Sequence, residues 1–575
     1  MSSAENKYDF IVVGSGPAGC ALAAGLAKSA QRPQVLLLEA GGRNDDRRLR
    51  VDGKRWTTFM EEQDLNWGYK TTPQEHCNGR ELDYSRGKGL GGGSAINFGL
   101  FTVGAKDDYD EWAAGVDDET FGWKQMQRRF KNLETFNGHI VRPEHRKYAA
   151  AAEADHGHTG GLRIGYAENW EKDLSTVLDA FEEAGFERNA DHNSGNPLGM
   201  ALSINSAGQG KRTTAADLLV GASDNLAIVT DSPVQRVILD GKRTVGVETS
   251  NKKYFASKEV ILSAGSLDTP KILMHSGIGP ASDLTKYNIP VIHDQPALGK
   301  GLRDHYFAPL ILARKPETTD RNAFFKDPSA MESAMKQWEE SNTGQWTRYG
   351  CQLGAGWFKS DKITSSAEFK ALPTDVQEFM NRATIPHYEM LTHLPMHFFA
   401  PDMFKEDYSY VGLAAFMMNE QSRGEVTLNS SDPHAPLLFN PRFLEDPFDR
   451  RACIEMYRHL LEVSRTPAFA KDTVSTLIGP ASESDEDILT FWKDFLSSSW
   501  HMTGTAKMGR VGEKEAVVDR GFRVIGLQGL RIADMSVVPV LTNNHTQATA
   551  YVTGATAADV LIREYGLDER VTAKL

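Results

Sequence analysis

Residues 8–39 constrain the fold more than any other stretch of the chain. Phe10-Ile11-Val12-Val13 is a short apolar run with the character of a strand covered on both faces. Gly14-Ser15-Gly16-Pro17-Ala18-Gly19 follows as G-x-G-x-x-G, and Cys20 to Lys28 continues as a helix of small residues. Gln34 to Leu38 makes a second apolar strand ending in Glu39, twenty positions after Gly19. In such a unit the first glycine permits the turn, the second lets a pyrophosphate approach the backbone, and the third lets helix pack on strand. The helix N-terminus adds free N–H groups for the phosphates. Glu39 stands where an acid accepts the hydroxyls of an adenosine ribose. A lone G-x-G-x-x-G is weak, but strand, helix, second strand and terminal acid in register predict a dinucleotide site. They do not separate FAD from NAD.

A second glycine cluster, Arg86-Gly87-Lys88-Gly89-Leu90-Gly91-Gly92-Gly93-Ser94-Ala95-Ile96-Asn97, suits close approach of main chain to a flat ligand or phosphate. It is not a Walker loop, because no Lys-Ser or Lys-Thr follows the glycines. Residues 226–262 hold four short β-type runs with an Asp240-Gly241 turn, and Gly265 to Pro270 opens a helix over Lys271–His275. Asp155-His156-Gly157-His158-Thr159-Gly160-Gly161 is expected to be a polar turn, a loop rather than a metal site. From 306 to 495 glycine thins. There Trp338, Trp346, Trp357, Tyr388, Met390, Met396, Phe398, Phe399 and Met403 are either ordinary core or the wall of an apolar pocket. His387, His393 and His397 lack a cysteine or carboxylate at ligand spacing, so no metal is expected. Near the end, Ser497 to Thr505, Gly529 to Asp534 and Asn543 to Thr549 lead into a final small-residue helix.

At 575 residues, with 40% hydrophobic and 25% charged side chains, the chain is long enough for several domains. A net charge of −13 argues against nucleic acid or an anionic membrane surface as partner. No apolar run reaches membrane-spanning length, and MSSAENKYDF lacks the pattern of a secretory leader. Cys20, Cys77, Cys351 and Cys453 form neither metal spacing nor redox pair, which fits a reducing compartment. Asn544-His545-Thr546 is a glycosylation acceptor only in a secreted protein, and it falls in a segment read below as lining the active site. Ala573-Lys574-Leu575 resembles the peroxisomal address. The expectation is an intracellular protein, peroxisomal or cytoplasmic.

Six segments together resemble the glucose-methanol-choline (GMC) family of oxidoreductases: GSGPAG at 14–19, RGKGLGGGSAINFGLFTVG at 86–104, GSLDTPKILMHSGIG at 265–279, GKGLRDH at 299–305, WHMTG at 500–504 and NNHTQAT at 543–549. The resemblance runs from Tyr8 to about Gly566. It implies an α/β fold of two domains: a discontinuous Rossmann-like FAD-binding domain (1–155, 215–305 and 515–575) and a substrate domain on an antiparallel sheet (156–214 and 306–514). By the same resemblance Gly14, Ser15, Gly16 and Gly19 hold the pyrophosphate, and Glu39, with Ala40, the adenosine ribose. Arg86, Gly92, Ser94 and Asn97 lie along pyrophosphate and flavin, and Val234 meets the adenine. Asp534 sits near the ribityl chain; Trp500, His545 and Thr546 also border the cofactor. Some members attach flavin through a histidine just before the Asn97 position; here that residue is Ile96, so FAD is expected to be non-covalent.

The implied catalytic pair is His501 and His545. A neutral imidazole within hydrogen-bond reach takes the hydroxyl proton of an alcohol as its carbinol hydride passes to flavin N5, and His501 is expected in that role. The expected reaction oxidises a small-molecule alcohol, a primary, aryl or otherwise apolar one being favoured, to a carbonyl, with O2 or another electron acceptor as partner. A non-redox member of the family (lyase, cyclase or decarboxylase) is the alternative, and oxidase against dehydrogenase stays open, as does oligomeric state.

Overall fold

The computed structural model describes residues 7–140, 143–167, 170–347, 354–395, 400–405 and 407–568. Met396, His397, Phe398, Phe399, Cys351 and the C-terminal tripeptide lie outside the described residues.

Two sheets organise the chain. In the first, Leu226–Val229, Val35–Leu38, Lys7–Val13 and Lys253–Leu262 run parallel in that order. Ile11 pairs with Leu36 on one side and Val260 on the other. Phe10, Ile11, Val12 and Leu36 are fully buried, as strands covered on both faces require. Leu530–Ile532 extends the parallel set beside the end of Lys253–Leu262, while the Val234–Asp240 and Arg243–Thr249 hairpin pairs with its beginning. The helix Pro17–Lys28 packs against the last helix, Gln547–Glu564, so the two helices share one face.

The second sheet is antiparallel, in the order Thr473–Ile478, Tyr306–Arg314, Ser409–Met417, Tyr388–Leu391, Gly354–Phe358 and Gly199–Leu202. Its central pair runs unbroken from Tyr306↔Met417 to Arg314↔Ser409. Helices Pro447–Ser464 and Asp485–Phe495 pack on this sheet. The register places Phe307 opposite Phe416, and Phe416 opposite Glu389. These three residues form one row across three strands.

One expectation changes: the helix at 265 is longer than predicted, beginning at Gly265 with Pro270 inside it. Residues 156–161 are irregular chain, as the loop reading has it, and within them His156 is buried between Glu134 (3.0 Å) and Asp191 (3.4 Å) and stacked on Phe136. Burial opposes its charge, yet hydrogen bonds to Asp191 and Glu134 prevail and raise it to about 9. Trp338 and Trp346 form a separate small cluster with Phe324 and Val51, while Tyr388 and Met390 are fully buried core and Met403 is exposed.

Candidate active site

A cavity of about 510 Å³ opens at the carboxyl ends of the parallel strands, where Val13, Leu38 and Ser263 border it. Open α/β sheets bind ligands at this edge. The cavity wall includes Gly14, Ser15, Gly16, Glu39, Ala40, Arg86, Gly92, Ser94, Asn97, Val234, Trp500, His501, Asp534, His545 and Thr546. Gly19 is the exception. A Cβ there would meet the Gly14 carbonyl oxygen at 1.9 Å, so this glycine serves helix–strand packing and lies behind the wall. Gly14 needs its lack of side chain for the turn, at φ +101°.

Local bonds explain how this end is built. The Glu39 carboxylate accepts from the Ser15 N–H (3.0 Å) and hydroxyl (2.6 Å), and from the N–H groups of Gly41 (2.9 Å) and Gly89 (3.0 Å). It thereby ties the two glycine loops together. Asp534 accepts from the Gly265 N–H, the Thr269 hydroxyl and the N–H and hydroxyl of Ser536, fixing the start of the 265 helix. The Asn97 side-chain oxygen accepts from Arg55 at 3.0 Å.

The other end carries the histidines. Arg303 and Thr503 exchange backbone hydrogen bonds and the Ser499 N–H reaches the His305 carbonyl, so the GLRDH and WHMTG segments run antiparallel. Trp500 stands at φ +58°, a backbone state rare for a large side chain. Three contacts hold it: Arg86 donates to its carbonyl (2.6 Å), Ser498 accepts its N–H (2.9 Å), and Asp304 accepts the next N–H, that of His501 (2.6 Å). Burial pushes the Asp304 carboxyl up to about 7.

His501 and His545 face each other with ring centres 4.9 Å apart and planes at 83°. Nδ1 of His501 lies 3.0 Å from Nδ1 of His305. Nε2 of His545 lies 2.9 Å from the Glu389 carboxylate, and the His545 N–H donates to the Thr102 hydroxyl. Burial, with the Arg86 guanidinium nearby, holds His501 well below the ordinary histidine range. Among the described residues no group of side chains is arranged to hold a metal ion.

Aromatic rings close this end. Phe416 sits 6.0 Å from His545 and stacks on Phe307 at 4.6 Å. Phe98 stacks on Trp56 and meets Phe59 and Trp500 edge-on. All six line the cavity, joined by Leu391 and Leu394. The apolar wall therefore comes mostly from outside 338–403, the stretch whose composition had pointed to it. Sequence reasoning also missed Glu389, which reaches His545 by strand register, and His305, which sat in a quoted motif without a role. Asn544 is fully buried, donating to the Thr102 carbonyl, so its acceptor triplet has no room for a glycan.

Comparison with known proteins finds relatives over nearly the whole chain. Two family models described as GMC oxidoreductase match residues 8–307 and 420–554. The chain is 30% identical to an alcohol dehydrogenase [acceptor] of Pseudomonas putida, over 97% of this chain and 96% of that protein. It is 31% identical to an oxygen-dependent choline dehydrogenase of Paraburkholderia phytofirmans, over 97% and 94%. A solved variant of Aspergillus oryzae formate oxidase superposes with a TM-score of 0.88 at 25% identity, covering 98% of this chain and 99% of that one.

Proposed function

This chain belongs to the GMC oxidoreductases, and we propose that it oxidises a primary alcohol bearing an aryl or otherwise apolar group to the carbonyl, with His501 as base. It is an oxidoreductase, and its cofactor is FAD. The residues fit that group. A Cβ on Gly16 would enter open space on the cavity wall, the clearance a pyrophosphate needs. The wall from Gly14 to Val234 would hold the nucleotide, and Ile96 beside Asn97 offers no nucleophile for a covalent link. The first sheet would carry the cofactor and the second the substrate.

Bound FAD supplies the two-electron acceptor for the carbinol hydride. The chain supplies the rest. The Glu389 carboxylate accepts from Nε2 of His545 and so fixes the ring that would orient the alcohol oxygen. His501, kept neutral by its surroundings, accepts the hydroxyl proton. The aromatic wall excludes water and gives an apolar substituent its contact area.

The observation that carries this reading is the facing His501–His545 pair inside an aromatic wall. The test is anaerobic mixing of the FAD-loaded enzyme with aryl, aliphatic and sugar alcohols. Bleaching of the flavin fastest with aryl or apolar primary alcohols is expected. Bleaching by polyols alone overturns the substrate class, and no bleaching by any alcohol overturns the reaction. Colour returning quickly in air with peroxide marks an oxidase, and slow return a dehydrogenase.

A further inference from the structure

His305 is fully buried and makes two ring hydrogen bonds: Nε2 to the Met418 carbonyl at 3.0 Å and Nδ1 to Nδ1 of His501 at 3.0 Å. These contacts determine where the protons are. A carbonyl has only lone pairs, so Nε2 of His305 must carry hydrogen. Burial, with the Arg303 guanidinium nearby, keeps His305 well below the ordinary histidine range, so the ring is neutral and its Nδ1 is a bare acceptor. The hydrogen between the two rings therefore belongs to His501. A neutral His501 bearing hydrogen on Nδ1 has its lone pair on Nε2, and among the described residues no protein group bonds that atom. We propose that His305 is a positioning residue for this site: by accepting the Nδ1 hydrogen of His501 it selects the tautomer whose Nε2 lone pair is ready to take the substrate proton.

The inference rests on the reading of His501 as base. When the alcohol O–H breaks, its proton forms the new N–H bond at Nε2, and the C–H electron pair leaves with the hydride to the cofactor. His501 then carries both hydrogens and a positive charge. Its Nδ1–H bond to His305 becomes charge-assisted as the reaction proceeds, so the contact is stronger in the transition state than before it. The Nδ1 proton stays on His501, because burial disfavours a charged His305 and the Met418 carbonyl at Nε2 cannot take a proton onward. The backbone supports this alignment, since the Ser499 N–H reaches the His305 carbonyl and Asp304 holds the His501 N–H.

Two substitutions separate this role from simple packing. In His305→Asn the side-chain oxygen falls near the place of Nδ1 and still accepts from His501. In His305→Gln the amide falls near the place of Nε2, keeps the Met418 contact and loses the one to His501. A hydrogen bond to a charged group is worth about 1.5–3 kcal/mol, which converts to roughly 10–100-fold in rate. His305→Gln is expected to slow anaerobic flavin reduction by about that factor with FAD retained, and His305→Asn to recover most of it. Equal rates in the two variants overturn the proposal. Histidine-selective ¹⁵N NMR of the FAD-loaded enzyme without substrate reads the tautomer directly, with the His501 signals assigned by their loss in His501→Asn. Hydrogen on Nδ1 of His501 is expected, shifting in His305→Gln; hydrogen on Nε2 in the wild type overturns the proposal. This readout needs no alcohol, so it decides the tautomer even where no alcohol reduces the flavin.

Discussion

In the proposed reaction His501 serves as base because of what surrounds it. Burial first, then the nearby Arg86 guanidinium, makes its protonated form costly. The base form of a group exists above its pKa, so lowering that pKa extends the working range toward acid. The rate of flavin reduction by a saturating alcohol is therefore expected to stay level as pH falls from about 8 to about 6, where a histidine of ordinary pKa, about 6.5, loses most of its base form. Rapid mixing across that range checks this, and an acid limb centred near pH 6.5 contradicts it.

At the scale of elements, the first strand–turn–helix unit uses its glycines for different ends. Gly16 faces open cavity, whereas a Cβ on Gly19 would collide with the Gly14 carbonyl. Gly16→Ala is therefore expected to fold with a near-normal melting temperature and to lose FAD affinity. Gly19→Ala must move the helix Pro17–Lys28, which packs on Gln547–Glu564, and is expected to fail as a soluble, folded protein. Circular dichroism and flavin titration of the two variants separate these outcomes. Two variants that behave alike contradict the division of roles. This unit was legible in the sequence because its parts are local: the strand Lys7–Val13, the turn and Glu39 lie within one short stretch. The hairpin at Asp240-Gly241 and the final helix were legible for the same reason. His305 and Glu389 were not, since each meets its histidine only through long-range pairing. Trp338 falls on the core side of the two readings, and composition could not choose between them because it does not say which face of the core a ring packs on.

The whole molecule brings two unlike sheets to one cavity. The parallel sheet offers its carboxyl edge, where backbone and glycine loops suit a dinucleotide. The antiparallel sheet offers the row Phe307, Phe416 and Glu389, two rings and the carboxylate that holds His545. Neither sheet alone contains a site. His501 and His545 come from connecting segments between them, which is where catalytic groups concentrate on a rigid scaffold. Their motifs were legible in the sequence by resemblance, while the orientation of the rings was a property of the assembled fold.

The central claim is that His501 removes the alcohol proton. The most direct measurement is single-turnover flavin reduction, without oxygen, by an aryl alcohol in wild type and His501→Ala, each with its FAD content verified. Loss of a general base predicts a fall of about 10²–10⁴-fold with the flavin spectrum intact. Reduction at near the wild-type rate by a fully flavinated His501→Ala enzyme would contradict the account.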